Sequence, residues 1–161
     1  MIKNTTGMKG RIRLVCRKTD GTVKWDTGWV SNLIHNAGIA ELVALAGGVG
    51  TPATFKYLAL STNSADPVVT DTTLAGEIVT NGLERAAATV SRQTSAVPGI
   101  DNDTLQLTHM WTATGSVSVE KMAVFNDDTV GIMLASALTG TKEVDEDETL
   151  TGTYQITFAR S

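Results

Sequence analysis

Apolar and polar residues alternate along most of this chain, and one stretch breaks the rhythm. In GRIRLVCRKTDGTVKWDTGWV (residues 10–30), Ile12, Leu14 and Cys16 alternate with Arg11, Arg13 and Val15. That period of two is the mark of a strand with one wet face. Asp20-Gly21 signals a hairpin turn of type I′, in which glycine supplies a positive φ at little cost. Val23, Trp25 and Trp29 mark the returning strand, so residues 10–30 are predicted to form an antiparallel hairpin. The exception to the alternation is SNLIHNAGIAELVALAGG. There Ile39, Leu42, Val43 and Ala46 fall at i, i+3, i+4 and i+7, which predicts a helix with one apolar stripe. Asn36 is the expected N-cap and Gly47-Gly48 the expected stop. A three-turn helix in such a chain is expected to form a lid over one end of a sandwich.

From residue 55 onward the pattern is almost all strand. FKYLALST places Leu58 and Leu60 on one face and Tyr57 and Ala59 on the other. GLERAAATVSRQT reads as one long strand, poor in bulky residues. DTLQLTHMWTATG puts Leu105, Leu107, His109 and Trp111 on one side and Thr104, Gln106, Thr108 and Met110 on the other. SVSVEKMAVFND and TVGIMLASALTG follow, separated by the turn cluster Asn126-Asp127-Asp128. The last strand points Leu150, Tyr154, Ile156 and Phe158 inward and Thr151, Thr153, Gln155 and Thr157 outward. The fold class predicted is mainly β: a β-sandwich or jelly-roll-like barrel of about eight antiparallel strands with one short helix. Residues 1–161 read as a single domain, with no linker, repeat or low-complexity tract.

Composition narrows the class. The 42% hydrophobic and 19% charged content is that of a globular protein and too apolar for disorder. No apolar run approaches the ~20 residues of a membrane helix, and the N-terminus lacks a signal-peptide stretch, so a cytoplasmic origin is expected. Charge changes the picture more. Residues 1–30 carry seven Lys or Arg against Asp20 and Asp26, a net +5, while the other 131 residues carry six basic and fifteen acidic groups, a net −9. A basic hairpin on an acidic body suits an acidic protein surface or a neighbouring copy of itself. Nucleic acid is a poorer fit, because no aromatic platform lies beside the basic residues and the acidic remainder repels phosphate. The run EVDEDE (residues 143–148) is expected to be a solvated loop that discourages edge pairing. A sharper alternative is a patch that receives basic residues from another subunit.

Candidate chemistry is sparse. Cys16 is the one cysteine, which excludes an internal disulfide and fits a small buried hydrophobe. His35 is expected to pack or hydrogen-bond at the start of the helix, and His109 to be a satisfied core or interface histidine. No G-x-S-x-G elbow, H-E-x-x-H or P-loop occurs. Gly47-Gly48-Val49-Gly50 follows a helix instead of leading into one, the wrong geometry for a phosphate cradle. Asp101-Asn102-Asp103 and Asn126-Asp127-Asp128 lack EF-hand spacing and read as Asx-rich turns. The residues therefore predict no enzyme, no cofactor and no metal. The long polar connection within LALSTNSADPVVTDTTLAGEI is expected to loop off the strand ended by Leu60 and to be re-anchored by Leu74 and Ile78. Its middle, Asp66 to Asp71, would then be free to lie across a neighbour.

Several of these segments fall in a recognisable order. It runs from an N-L-I-x-N-x-G start to the helix (Asn32, Leu33, Ile34, Asn36, Gly38) to the L-A-L-S-T strand end (Leu58 to Thr62). A D-T-x-L segment (Asp71, Thr72, Leu74) comes next, and a D-x-T-L-x-x-x-Y-x-I-T-F finish (Asp147, Thr149, Leu150, Tyr154, Ile156, Thr157, Phe158) closes it. This order, spanning residues 28–160, resembles the small virion proteins of tailed bacteriophages: head decoration, minor structural or tail-fibre proteins. The resemblance implies a non-enzymatic structural protein, foremost a capsid decoration (cement) protein that binds and stabilises the assembled head. It would act as a homo-oligomer, a trimer suiting the threefold positions of a capsid. The implied partner is the major capsid protein, not nucleic acid or membrane, and the implied location is the virion surface after synthesis in the bacterial cytoplasm. A tail-fibre or tail-tip component binding a host surface is the alternative reading, and a carbohydrate-binding jelly roll a distant one. The residues expected to touch a partner are Lys9, Arg11, Arg13, Arg17, Asp66 and Asp71.

Overall fold

Alternation along the strands converts directly into two layers. The computed structural model describes residues 6–96 and 100–160. In chain order these form β1 (Thr6–Arg17), β2 (Val23–Asp26), β3 (Val30–Ser31), β4 (Leu33–Ile34), α1 (Asn36–Gly47) and β5 (Tyr57–Ser61). There follow β6 (Ala86–Ala87), β7 (Thr89–Gln93), β8 (Thr104–Thr112), β9 (Val117–Phe125), β10 (Met133–Val144) and β11 (Thr149–Arg160). One sheet runs β2-β1-β11-β8-β7, with β3 also paired to β1; the other runs β4-β10-β9-β5-β6. All these pairings are antiparallel, and the two sheets share no strand, so the predicted sandwich is what forms and not a closed barrel. Eight strands have four residues or more, and the two-residue β3, β4 and β6 arise from pairing that no periodicity signals.

The core lies between the sheets. Ile12, Leu14 and Cys16 from β1 meet Leu107 and Trp111 from β8 and Leu150, Tyr154 and Ile156 from β11. Leu58, Leu60, Met122, Val124 and Leu134 close over them from the other sheet. β1 and β11 pair residue for residue from Thr6↔Arg160 to Arg17↔Thr149, which joins the beginning of the described chain to its end.

The structure corrects five local expectations. The hairpin turn is not type I′: Gly21 N–H donates to Lys18 O at 2.9 Å, and only Gly21 (φ 84°) takes a positive φ. This is a type I turn closed by a left-handed glycine, favoured here because the Asp20 carboxylate accepts from Thr22 N–H at 2.9 Å. At the helix start His35, not Asn36, holds the cap position. Its N–H pairs with Leu134 O at 2.8 Å, so the extended pairing with β10 ends at His35 and the helix begins one residue earlier than expected, at Asn36. The helix also packs by a different face than its sequence stripe: Gly38 is buried and Leu42 and Leu45 reach the core, while Ile39, Val43 and Ala46 are exposed. The long strand read in GLERAAATVSRQT is two short ones, because the chain leaves β5 at β6 and joins β8 in the other sheet as β7. Phe158, expected inward, is exposed near the end of β11.

The connection after β5 turns out to be a cover. Leu74 packs with Ala59, Ala123, Phe125 and Met133 on the outer face of the second sheet, which makes a small second core. Leu74 and Ile78 are buried, as expected of anchors. Ser61 Oγ donates to Ala75 O at 2.6 Å, and Ile78 N–H donates to Leu60 O at 2.8 Å. At its end, Glu77 takes a bidentate pair from Arg85 (2.8 Å for each bond), whose guanidinium lies 3.6 Å over the Phe125 ring. So residues 62–80 lie on their own sheet, and the middle of the loop is fastened instead of free: Val68 N–H donates to the Asp71 carboxylate, and Val69 O accepts from Asn36 N–H.

Helix and sheet come closest in backbone at Gly38 and Leu134. A Cβ at Gly38 would stand 2.5 Å from Leu134 Cα and 2.7 Å from Leu134 O, and backbone cannot move aside as a side chain can. Alanine is the better helix former by ~1 kcal/mol, yet overpacking against backbone costs about 1–3 kcal/mol or more. Gly38→Ala is therefore expected to lower the unfolding free energy in a urea titration; an unchanged or higher midpoint would contradict this packing.

Candidate docking face

β1 alternates between the core and solvent, and that places the predicted basic residues in one row. With Ile12, Leu14 and Cys16 turned inward, Lys9, Arg11, Arg13 and Arg17 lie on the outer face of the first sheet. The register extends this face with Thr149, Thr151, Thr153, Gln155 and Thr157 of β11 and Thr104, Gln106 and Thr108 of β8. Neutral polar side chains thus flank a cationic row.

Arg11 is the best-held member. Its Nε–H donates to Gln155 Oε1 at 2.9 Å, and Gln155 Nε2 donates on to Gln106 Oε1 at 2.7 Å, a chain across three strands. The guanidinium carbon sits 4.2 Å from the centre of the exposed Trp29 ring, a cation–π geometry. One ring face and one N–H are thereby used, and the two terminal nitrogens face solvent in a fork suited to a carboxylate. Trp29, Gln155 and Gln106 were not singled out for this role; their signal was the alternation that also marks the arginines.

The other cations divide by partner. Arg13 is ion-paired to Asp26, with Nε–H donating to Oδ1 at 2.9 Å, and that bond holds the Asp26 carboxyl down at about 2. Arg17 donates to Gly21 O at 3.1 Å. Among the described residues no carboxylate lies within ion-pair distance of Lys9, Arg11 or Arg17. Lys3 lies outside the described residues.

Lys24 explains the acidic run. Its amine contacts Asp145 Oδ2 at 2.7 Å and Glu148 Oε2 at 2.9 Å, so the patch read as a receiver of basic residues receives one from its own hairpin. Trp25 Nε1–H adds a bond to Glu143 O at 2.7 Å. EVDEDE is accordingly not a wholly solvated loop: Val144 and Glu148 are buried, while Asp145, Glu146 and Asp147 are exposed. Burial alone would push the Lys24 amine down, but its bonds to Asp145 and Glu148 outweigh that and raise it. Burial likewise opposes the Glu148 charge, and the Asp145 N–H and Lys24 overcome it and hold the carboxyl below its usual range. Cys16 donates its S–H to Glu148 Oε2 at 3.4 Å. Burial, then that hydrogen bond and charge, push the thiol up to about 12, so it stays protonated and unreactive at neutral pH.

Asp66 and Asp71 do not join the basic row. They lie on the loop over the second sheet, in the opposite layer of the sandwich. Under that loop His35 is fully buried, with Nδ1 3.0 Å from Val68 O and Nε2 2.9 Å from Ser136 Oγ. A carbonyl only accepts, so Nδ1 carries the proton and the Ser136 hydroxyl donates to Nε2. The pair looks like a nucleophile with its base, yet Ser136 is only 2% exposed and the dyad serves to fasten the loop to β10. Burial pushes the His35 pKa down; Asp71 and Lys121, the nearby charged groups, act on it in opposite directions. His109 is held by Ala87 O at 2.9 Å and by an edge contact with Trp111.

The remaining polar clusters are spent on turns. Asp127 Oδ1 accepts from Thr129 and Val130 N–H, and Asp103 Oδ1 accepts from Ser95 N–H at 2.8 Å. Among the described residues no three His, Cys, Asp or Glu side chains gather as a metal ion requires. A cleft of about 260 Å³ lies between Thr72, Leu74, Glu77, Arg85 and Val130. That is below the ~300–1,000 Å³ of ordinary ligand pockets. Its one cation, Arg85, is already bound to Glu77, Asp127 O and Val130 O. No protein-family model matches the chain, and no curated protein matches it.

Two pH windows follow from these sites. His35 has a folded value below its unfolded ~6.5, so its contribution is complete above ~6.5 and is lost as pH falls below it. Glu148 is likewise depressed, and its contribution is present above its unfolded ~4.3 and lost as acid protonates it. Denaturant unfolding across pH is expected to show both descents. His35→Gln should remove the upper one. Glu148→Gln should lower stability at neutral pH by about 1–3 kcal/mol and flatten the lower descent. Wild-type stability that stays level from pH ~7 to ~5 would refute the His35 assignment.

Proposed function

We propose that this chain is a non-enzymatic structural subunit of a tailed-bacteriophage virion, a decoration protein that docks on the assembled head through the outer face of β1. The observation that carries this reading is the row of cations at Lys9, Arg11 and Arg17, without carboxylate partners among the described residues and set on a paired sheet. Arg11 is held in advance by Trp29 and Gln155, so little side-chain freedom is lost when an acidic group arrives. The order of motifs across residues 28–160 supports the virion assignment. The partner is an acidic surface of the major capsid protein, met at many equivalent positions by symmetric copies, three to a site. Binding to the closed shell in preference to its free subunits would stabilise the head by mass action.

Heads lacking the protein, mixed with purified chain, provide the test. Wild type is expected to bind in hundreds of copies, with an affinity that falls as salt rises. Arg11→Glu combined with Arg17→Glu is expected to weaken binding by about 10- to 100-fold with the protein still folded and a melting temperature lowered only slightly by the lost Trp29 and Gln155 contacts, since both side chains are exposed. Unchanged occupancy would refute the docking face. A handful of copies confined to the tail would refute the head assignment in favour of a tail component.

A further inference from the structure

The cover over the second sheet is fastened differently at its ends and in its middle. Its ends are fixed by burial of Leu74 and Ile78 and by Thr62 N–H, which donates to Gly76 O at 3.0 Å. The middle has no such anchor, because no residue from 63 to 73 is buried. Among the described residues, two hydrogen bonds tie residues 64–73 to the body, both at the start of α1. His35 Nδ1–H donates to Val68 O at 3.0 Å, and Asn36 N–H donates to Val69 O at 2.9 Å. At the near end of the stretch, Asn63 Oδ1 accepts a long 3.4 Å bond from the Lys121 amine.

His35 sits where a positive charge is costly. Its ring is fully buried, and it caps the N-terminus of α1, where the helix dipole is already positive. Lys121 of β9 acts on it as a second cation, itself 5% exposed and without a carboxylate in ion-pair distance among the described residues. Asp71, on the loop, is the carboxylate that acts on the ring. β10 offers the neutral Ser136, and Glu41 of α1 is turned to Ala53 and Asn126. Burial weighs most against the charged ring and Lys121 adds to it, while the Val68 bond and Asp71 oppose them.

We propose that His35 is a pH-sensitive latch: on taking up a proton it releases residues 64–73, which lift from the second sheet and uncover His35, Ser136 and Lys121 while both ends of the cover stay fixed. The proton adds at Nε2, so Ser136 Oγ must accept where it donated, and a second buried cation forms near Lys121. Lifting the loop brings water to that charge and withdraws no buried side chain of residues 63–73 from the interior. Segments with so few buried contacts open at a free energy well below that of global unfolding. The ring titrates near ~6.5 once hydrated and lower while covered. The open form therefore binds the proton more tightly, and acid draws the loop toward it.

Native-state hydrogen exchange of the full chain, corrected for the intrinsic rate at each pH, reads this opening at the Asn36 amide, whose bond to Val69 O breaks when the loop lifts. Between pH ~7.5 and ~5 its opening constant is expected to rise by up to about 30-fold. The step should depend little on urea, because little surface is exposed, whereas amides of the β1–β11 pairing should open only with the steep urea dependence of global unfolding. His35→Gln is expected to abolish the rise, and Lys121→Gln, which removes the neighbouring cation, to reduce it. A wild-type change of less than about twofold overturns the latch, as does a rise that persists in His35→Gln or an Asn36 opening as steep in urea as that of β1. Should His35→Gln fail to fold, Lys121→Gln decides: a smaller rise upholds the latch and an unchanged one overturns it.

Discussion

Everything in this molecule hangs on the pairing of its first strand with its last. β1 and β11 run antiparallel over twelve matched positions, in the middle of the first sheet. Such a contact closes nearly the whole chain into a loop, and the entropy of that closure is offset only when many residues pair at once. The inward residues of the two strands supply that return: Ile12, Leu14 and Cys16 on one, Leu150, Tyr154 and Ile156 on the other, all essentially without solvent contact. Their outward residues are a by-product of the same geometry. Once the apolar set faces in, the arginines of β1 must face out beside the threonines and glutamines of β11. The basic row, the Arg11–Gln155 bond and the approach of Lys24 to Glu148 are all consequences of this register.

The two outer faces of the sandwich meet different ends. The first sheet leaves its outer face open and polar. The second sheet has an apolar outer face, carrying Ala59, Ala123, Phe125 and Met133, and the chain covers it with residues 62–80. That cover is held by side chains that could pass for chemistry. His35 and Ser136 form a dyad, Arg85 and Glu77 a bidentate pair, and Lys121 lies buried with Asn63 Oδ1 at 3.4 Å. Each has its polar groups turned to the loop or its neighbours, which is how a buried connection keeps its donors and acceptors satisfied. A catalytic reading of such groups needs access as well as proximity, and at His35 and Ser136 the burial removes it.

The charge split along the chain acquires a similar explanation. Part of the basic surplus of residues 1–30 is consumed internally, by Asp26 on Arg13 and by Asp145 and Glu148 on Lys24. The first pair ties the two strands of the hairpin together, and the Lys24 pairs stitch that hairpin to the turn before β11. On the outer face of the first sheet, what remains unpaired among the described residues is Lys9, Arg11 and Arg17. Four cations on one face were therefore legible from alternation alone, while which of them is paired was decided by the register of β1 with β2, which brings Asp26 to Arg13.

By itself the sequence determined the local, periodic features: the strand faces of β1, β5, β8 and most of β11, the existence of one helix, and the anchoring of the long connection at Leu74 and Ile78. Each follows from side chains a few residues apart choosing between water and an apolar interior, a choice that short-range pattern records. Tertiary structure decided the rest. The apolar stripe at Ile39, Leu42, Val43 and Ala46 was readable, but the contact of Gly38 with Leu134 oriented the helix so that of these only Leu42 packs inward and the other three face out. Residues 82–94 changed sheets midway, since β5 and β8 each offered an edge. The stretch from Asn63 to Thr73 proved to lie on its own second sheet, because an apolar face that no distant strand covers must be covered by the chain at hand.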